Sequence, residues 1–400
     1  MKRPLLVVLA LSVLLPSGRA DEGARGAADS SNAYAFEAFQ LFRQITEGNF
    51  CYSPYSSQRI AALIAEGARG ATAEEMRKLA HLPSDEAERQ STTKSLSAAL
   101  AASAGKGGLQ LEVANSLWAP PAFPFRAEFI TLAGEQFGAT AHALPGDDPV
   151  RSAQAVNDWI RQRTRGRITN LAGPAIFTPR TLALVNTVYL KGTWVHPFDR
   201  AKTKPRAFTL NTGSTAMLPT MLQLEALNYA DSDSWQCLEL QMSAGEVKMI
   251  VLLPRDEPSR TKIETQLTVA TWQAVTGALE DCDVNVMLPR FSFSTQLSMT
   301  SMWQFLGART LFESGKADLS GMIANEGSFV KEVVHQATIE VNELGAEATA
   351  ATLVAAAPFG PALAPKPRRK VSFIANRPFL WMIVHRDSGL ILFLGRFAGH

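Results

Sequence analysis

Residues 343 to 359, Glu-Leu-Gly-Ala-Glu-Ala-Thr-Ala-Ala-Thr-Leu-Val-Ala-Ala-Ala-Pro-Phe, constrain the fold of this chain more than any other stretch. A strand-like run, Ala337 to Val341, leads through Glu343 and Gly345 into small residues that carry one charge, Glu347, and no proline before Pro358. Alanine and glycine are weak strand formers, so this run gains little from resting in a sheet. Read with a period of two, however, Ala346, Ala348, Ala350, Thr352, Val354 and Ala356 share one face, and Glu347 points the other way. Such a segment suits a gap between two strands that already exist. It reads as a loop built to be inserted. On this window alone an Ala-rich linker is the simpler alternative.

The remainder reads as one large domain. Length alone would divide some 380 residues in two, yet no linker separates residues 32 and 344, and the Pro- and Gly-bearing stretches at Ala119 to Pro124 and Leu144 to Pro149 are brief. An amphipathic helix is expected from Ala33 to Thr46, with Asn32 as cap, Phe36, Phe39, Phe42 and Ile45 inward and Gly48 as stop. Residues 21–31 are expected to form a flexible N-terminal segment. Strand-like runs then dominate, at Leu182 to Leu190, Val247 to Leu253, Val284 to Leu288, Val371 to Ile374 and Leu390 to Leu394. Helices grouped early and strands grouped late predict a mixed α+β domain, not alternating βαβ units.

Residues 1–20 have the pattern of a signal peptide: basic Lys2 and Arg3, an apolar run from Leu5 to Leu15, and Gly18-Arg19-Ala20 as a small-residue cleavage site. The apolar run is too short to span a membrane. The expected destination is extracellular, or periplasmic in a Gram-negative bacterium. Cleavage would remove three basic residues and leave 36 against 37 acidic ones, so neither nucleic acid nor an anionic membrane is an expected partner. Three cysteines, Cys51, Cys237 and Cys282, leave at least one thiol unpaired and sit in apolar, strand-like surroundings typical of buried inert thiols. No Asn-x-Ser/Thr sequon occurs.

Catalytic signatures are thin. Ser91-Thr92-Thr93-Lys94 has the spacing of serine acyl-enzymes, but the supporting S-D-N and K-T-G elements are missing and the stretch reads as a solvated helix surface. There is no G-x-S-x-G, H-E-x-x-H, phosphate-binding loop or dinucleotide fingerprint. The six histidines, His81, His142, His196, His335, His385 and His400, lack metal-ligand spacing. Neither an enzyme, a cofactor nor a metal is expected.

A set of short motifs runs through the chain in a familiar order. Asn49-Phe50-Cys51-Tyr52-Ser53-Pro54-Tyr55-Ser56 is followed by Gly67 to Met76, then by Asn157-Asp158-Trp159-Ile160 with Thr164, Gly166 and Ile168. Next come Leu184 to Trp194 with Pro197 and Phe198, Ala317 to Gly321, His335, the hinge at Glu343, and Asn376-Arg377-Pro378-Phe379 to Leu394-Gly395-Arg396. Over about 350 residues this order resembles the serpin family.

The resemblance implies a serpin fold, with early helices, a large central sheet, further sheets and a mobile reactive loop at about 343–370. It also implies a monomeric, secreted inhibitor that needs no cofactor. A serine protease would attack the loop, form a covalent acyl-enzyme and be carried along as the cut loop enters the sheet. The residue before the scissile bond lies sixteen places after the hinge glutamate in the inhibitors this chain resembles, which points to Phe359–Gly360 and a chymotrypsin-like target. The hinge then comprises Glu343, Gly345, Ala346, Glu347, Ala348, Thr349 and Ala350. Residues 346–359 fully extended span about 46 Å, against a domain diameter of about 54 Å. By the same resemblance Ser53, Ser56, Asn186 and His335 form a polar cluster under the central sheet, with Trp194 where insertion begins. A satisfied buried network would look the same.

Some positions depart from the family pattern. Ala346 stands where Thr or Ser is usual, Leu344 replaces a commonly polar residue, and Trp381 occupies an aliphatic position. Lys366, Arg368, Arg369 and Lys370 follow the long segment after Phe359; they read as a solvated face, an exosite for an acidic protease surface or a trypsin-like cleavage site. A non-inhibitory carrier or chaperone and a simple protease substrate are the competing functional readings.

Overall fold

The computed structural model describes residues 18–164, 166, 168–178, 180–346 and 367–399, with side chains from residue 23 onward. Two sheets and nine α-helices are formed among the described residues, and the α+β expectation holds. The larger sheet runs in the order Phe50–Tyr52, Ile391–Phe397, Phe379–His385, Val247–Pro254, Trp235–Met242, Thr215–Asp231, Glu280–Pro289 and Arg369–Ile374, with Lys204–Thr209 paired to Thr215–Asp231. The smaller runs Phe291–Ser298, Phe329–Asn342, Gly345–Ala346, Thr181–Thr193, Gln110–Ala119 and Ala139–Ala143. All five expected strands are present; four cover and extend past the apolar runs that announced them, and the fifth, Ile391–Phe397, begins one residue after Leu390. Helices are less segregated than expected, because Glu257–Gln266, Val269–Gly277 and Met299–Phe305 lie between strands.

The N-terminal helix departs most from expectation. It spans Gly18–Ile45, so residues 21–31 are helical and the helix includes the last three residues of the expected signal peptide. Ala24, Ala27, Ala28, Ser31, Tyr34, Ala35, Ala38, Phe39 and Phe42 are all buried, a run at helical spacing that continues the core stripe upstream through good helix formers. Asn32 is therefore no cap. Its side chain instead donates to Gly389 O at 3.0 Å and accepts from Ile391 N–H at 2.9 Å, tying the helix to the last hairpin. Ile45, expected inside, is 76% exposed at the helix end.

Two other expectations meet simple outcomes. Cys51, Cys237 and Cys282 are free and buried, and burial pushes the Cys51 thiol up to about 12. Trp381 is fully buried and lies directly across from Gly395 in the neighbouring strand. A Cβ on Gly395 would stand 2.5 Å from the indole, so glycine makes the room that an aliphatic residue would not require.

The geometry that matters most lies in the smaller sheet. Strands Thr181–Thr193 and Phe329–Asn342 are parallel and paired with each other from Phe329 opposite Thr181 up to Ala337 opposite Val188, with a bulge between Val330 and Glu332. Above that point they part. Gly345–Ala346 lies between them, antiparallel to both, with Ala346 opposite Val341 on one side and Gly192 on the other.

Candidate functional site

The upper end of this slot is built around a reversal of the chain. Asn342 Oδ1 accepts from Leu344 N–H at 3.0 Å, closing a local side-chain turn. Gly345 then takes φ +149, a region open essentially to glycine alone, and a Cβ there would lie 2.1 Å from Gly192 O. Trp194 fastens the turn from the neighbouring strand. Its backbone N–H donates to Leu344 O at 2.9 Å and its indole N–H to Asn342 O at 2.8 Å, while Phe198 N–H donates to Glu343 O at 2.9 Å. The Glu343 carboxylate is buried, accepts from Thr203 Oγ1 at 2.8 Å and pairs with half-exposed Arg290 at 3.6 Å. Ala346 is buried against the apolar cluster that includes Val188, Leu190 and Met242. Alanine at this first inserted position fills its place without obstruction.

Beneath the middle of the sheet the four expected polar residues come together. Ser53 caps helix Pro54–Gly67, its hydroxyl accepting from Ser56 N–H at 3.2 Å. Its own N–H donates to His335 Nε2 at 3.0 Å. That bond leaves Nε2 without a proton, so the neutral imidazole carries its hydrogen on Nδ1 and donates it to Asn186 Oδ1. The Asn186 amide then donates to Ser56 Oγ and to Asn115 Oδ1. Burial drives the His335 pKa down to about 3, and the ring stays neutral at physiological pH. Asn115, Asn186 and His335 stand in one row across three strands. Sequence reasoning missed Asn115, because the register that places it opposite Asn186 is a tertiary fact; an asparagine inside a strand-like run was the available signal.

The remaining predicted residues are dispersed or unseen. Glu347, Ala348, Thr349, Ala350, Phe359, Gly360 and Lys366 lie outside the described residues. Arg368 is bound to Asp281 at 2.6 Å. Arg369 pairs with Asp231 and Glu280, both at 3.0 Å, and lies over the Tyr229 ring. These two arginines pin strand Arg369–Ile374 to its neighbours, whereas Lys370 is exposed. Ser91 and Lys94 sit on the exposed face of helix Glu86–Ser103, as the solvated-surface reading required.

Chemically, no nucleophile with an adjacent base stands at the slot among the described residues. The arrangement offers a two-residue strand, Gly345–Ala346, held between the upper ends of two parallel strands, with a polar row lower in the same sheet.

Comparison with known proteins agrees with that geometry. A family model described as Serpin (serine protease inhibitor) matches residues 29–399. The leukocyte elastase inhibitor of Homo sapiens is 35% identical over 384 residues, covering 92% of this chain and 98% of its own. Leukocyte elastase inhibitor A of Rattus norvegicus is 33% identical over 380 residues with the same coverage. The crystal structure of Serpin48, a highly specific serpin of the insect Tenebrio molitor, superposes with a TM-score of 0.82 at 26% identity, over 94% of this chain and 98% of that one.

Proposed function

This chain belongs to the serpin family, and from that premise we propose that it is a secreted suicide-substrate inhibitor of chymotrypsin-like serine proteases, cleaved at Phe359–Gly360. The family is one of serine protease inhibitors, proteins that a protease attacks and not catalysts themselves. The observation that carries the reading is the seat of Gly345–Ala346 between two parallel strands.

Continuing that register gives every following loop residue a partner. Gly192 lies eleven residues above Thr181, so residues 347–357 fill the slot down to its lower end, with Ala357 opposite Thr181. On the inward face Ala348 and Ala350 then meet Leu190 and Ile339, and Val188 and Ala337, all buried and apolar. Thr352, the one hydroxyl on that face, falls between Asn186 and His335. It can take over hydrogen bonds that those two residues give each other in the uncut protein. On the outward face Leu353 falls between Val185 and Val334, which pack with Val156 and Ile160 of helix Pro149–Arg163, while Glu347 falls between Lys191 and Glu340. The loop sequence matches the slot on both faces.

The named relatives inhibit leukocyte elastase, but Phe359 favours an enzyme with a deep apolar primary pocket, where an aromatic side chain gains about 2–3 kcal/mol on burial. Pro358 before it fixes φ and favours an extended bait. Secretion is supported by the basic and apolar pattern of residues 2–15.

The test is incubation of the purified protein with chymotrypsin, followed by a denaturing gel and mass spectrometry of the released fragment. The expected result is an SDS-stable band at the summed masses and a fragment beginning at Gly360, with Phe359→Arg redirecting inhibition to trypsin. Complete cleavage without such a band would mean a plain substrate, and a fragment beginning elsewhere would displace the scissile bond.

A further inference from the structure

Both parallel strands of the slot begin at the same pole. The residues leading into them, Arg180 before one and Gly327 and Ser328 before the other, line a cavity of about 560 Å³, within the size range of small-ligand sites. The hydrogen bond from Phe329 N–H to Arg180 O, 3.3 Å, closes the slot immediately above it. Arg180 has φ +72, a left-handed backbone that a residue with a side chain adopts at an energetic cost. This conformation brings its Nε to Gly327 O at 3.1 Å. A Cβ at Gly327 would lie 1.8 Å from the guanidinium, so the glycine permits that placement. On another wall Arg126 Nε donates to Ser320 O at 2.6 Å.

Each arginine thus spends Nε on a backbone carbonyl, and its two terminal Nη groups have no partner among the described residues. The other charges in the wall are mostly committed. Lys316 pairs with Glu313, and Asp318 accepts from the Ser320 hydroxyl; Glu326 is the remaining anion.

The register derived above ends with Ala357 opposite Thr181. Phe359 follows two residues later, about 7 Å further in extended chain, which brings it beside Arg180, Gly327 and Ser328. The geometry points to this cavity as the seat of the cut end of the loop, with Arg180 and Arg126 binding the α-carboxylate that proteolysis creates on Phe359. The inference rests on the proposed inhibitory reading. Hydrolysis adds one water across the Phe359–Gly360 bond and leaves a carboxylate on Phe359 and an ammonium group on Gly360. While Phe359 is still esterified to the protease serine its carbonyl is uncharged. Water must release the serine hydroxyl and form the carboxylate before the arginines have an anion to hold.

The probe is a synthetic peptide with the sequence of residues 347–359, which leaves the rung held by the protein's own Ala346 untouched, made once as the free acid and once as the C-terminal amide, and added to the intact protein. Both peptides should raise the melting temperature by filling the slot, and the free acid should dissociate about fivefold more slowly, as an exposed charge-assisted pair allows. That difference should shrink with added salt. Arg180→Asn, which tolerates the positive φ, and Arg126→Gln should each reduce the difference without altering retention of the amide. Equal retention of acid and amide by the wild-type protein overturns the carboxylate seat and leaves insertion standing. A difference that survives in both variants also overturns it. If neither peptide raises the melting temperature, insertion itself fails and the seat falls with it.

Discussion

The upper and lower parts of strand Thr181–Thr193 have different neighbours. At Gly192 and Thr193 the strand pairs with Ala346 and Gly345, antiparallel, and those two residues pair in turn with Val341 and Asn342. From Val188 down to Thr181 it pairs directly with strand Phe329–Asn342, in parallel. Antiparallel pairing is slightly the more favourable per residue, and an intervening strand makes two ladders where there was one. The same edges therefore bond less well in the lower part than in the upper. If the loop inserts as proposed it improves this arrangement, and the uncut fold then persists through barriers and not as the state of lowest free energy.

The largest test of that contrast is to complete the sheet. Cutting at Phe359–Gly360 should raise thermal stability, because about a dozen net hydrogen bonds at about 0.5–1 kcal/mol each rival the whole margin of an ordinary domain. At about 2 °C per kcal/mol the shift in melting temperature should exceed about 10 °C in a thermal scan. A cleaved form that melts at or below the intact one would erase the difference between the two regions.

Next in size is to block the lower region while sparing the upper. Ala350→Pro places a residue without an N–H opposite Val188 and Ala337, in what would become a central strand. Titration against chymotrypsin should show the stoichiometry of inhibition rising at least about tenfold while the melting temperature of the uncut protein stays put. Unchanged stoichiometry would remove the lower slot from the mechanism.

The reverse experiment damages the upper region. Gly345→Val forces a side chain into φ +149 and against Gly192 O, and should destabilise the intact protein by about 3 kcal/mol, read as a lower urea midpoint. Wild-type stability in that variant would show that the turn at Leu344–Gly345 is not held as described.

The smallest effect concerns the polar row. Burial lowers the His335 pKa from 6.5 to about 3. The unfolded chain therefore takes up a proton below pH 6.5 that the native ring refuses. This contribution to stability is complete above pH 6.5 and is lost at about 1.4 kcal/mol per pH unit as the pH falls toward 3. Urea midpoints measured between pH 6.5 and 4.5 should show that slope, reduced by one proton in His335→Gln. His385 and His142, also shifted down by burial, contribute equally to both proteins and cancel in the comparison.

Local pattern carried much of this architecture into view before any coordinates. The apolar runs marked the strands, whereas of the expected hinge only Glu343, Gly345 and Ala346 lie among the described residues. Local pattern could not supply the partners themselves. Thr203 and Arg290 flank Glu343 only because separate loops converge there, and an asparagine inside a strand-like run marks Asn115 as unusual without naming Asn186 as its partner. The N-terminal helix was misjudged for a different reason. Its upstream alanines are small enough to resemble a tail after a cleavage site, and only remote elements, helix Glu86–Ser103 and the last hairpin among them, make them core. Likewise Arg368 and Arg369 looked free because the acidic residues that hold them, Asp281, Asp231 and Glu280, are remote in sequence.

Seating Gly345–Ala346 in the sheet has a consequence for timing. Starting a strand between two others requires a reversal of the chain and the parting of a ladder before any new bond forms, and that slow first event has already happened during folding. If the cut loop inserts as proposed, what remains after proteolysis is growth from a nucleus, one rung broken and two made at each step, advancing from one end only. Such a process begins without a lag and runs in one direction. Its outcome against a competing hydrolysis then depends on the rate of each step and not on the chance of a beginning.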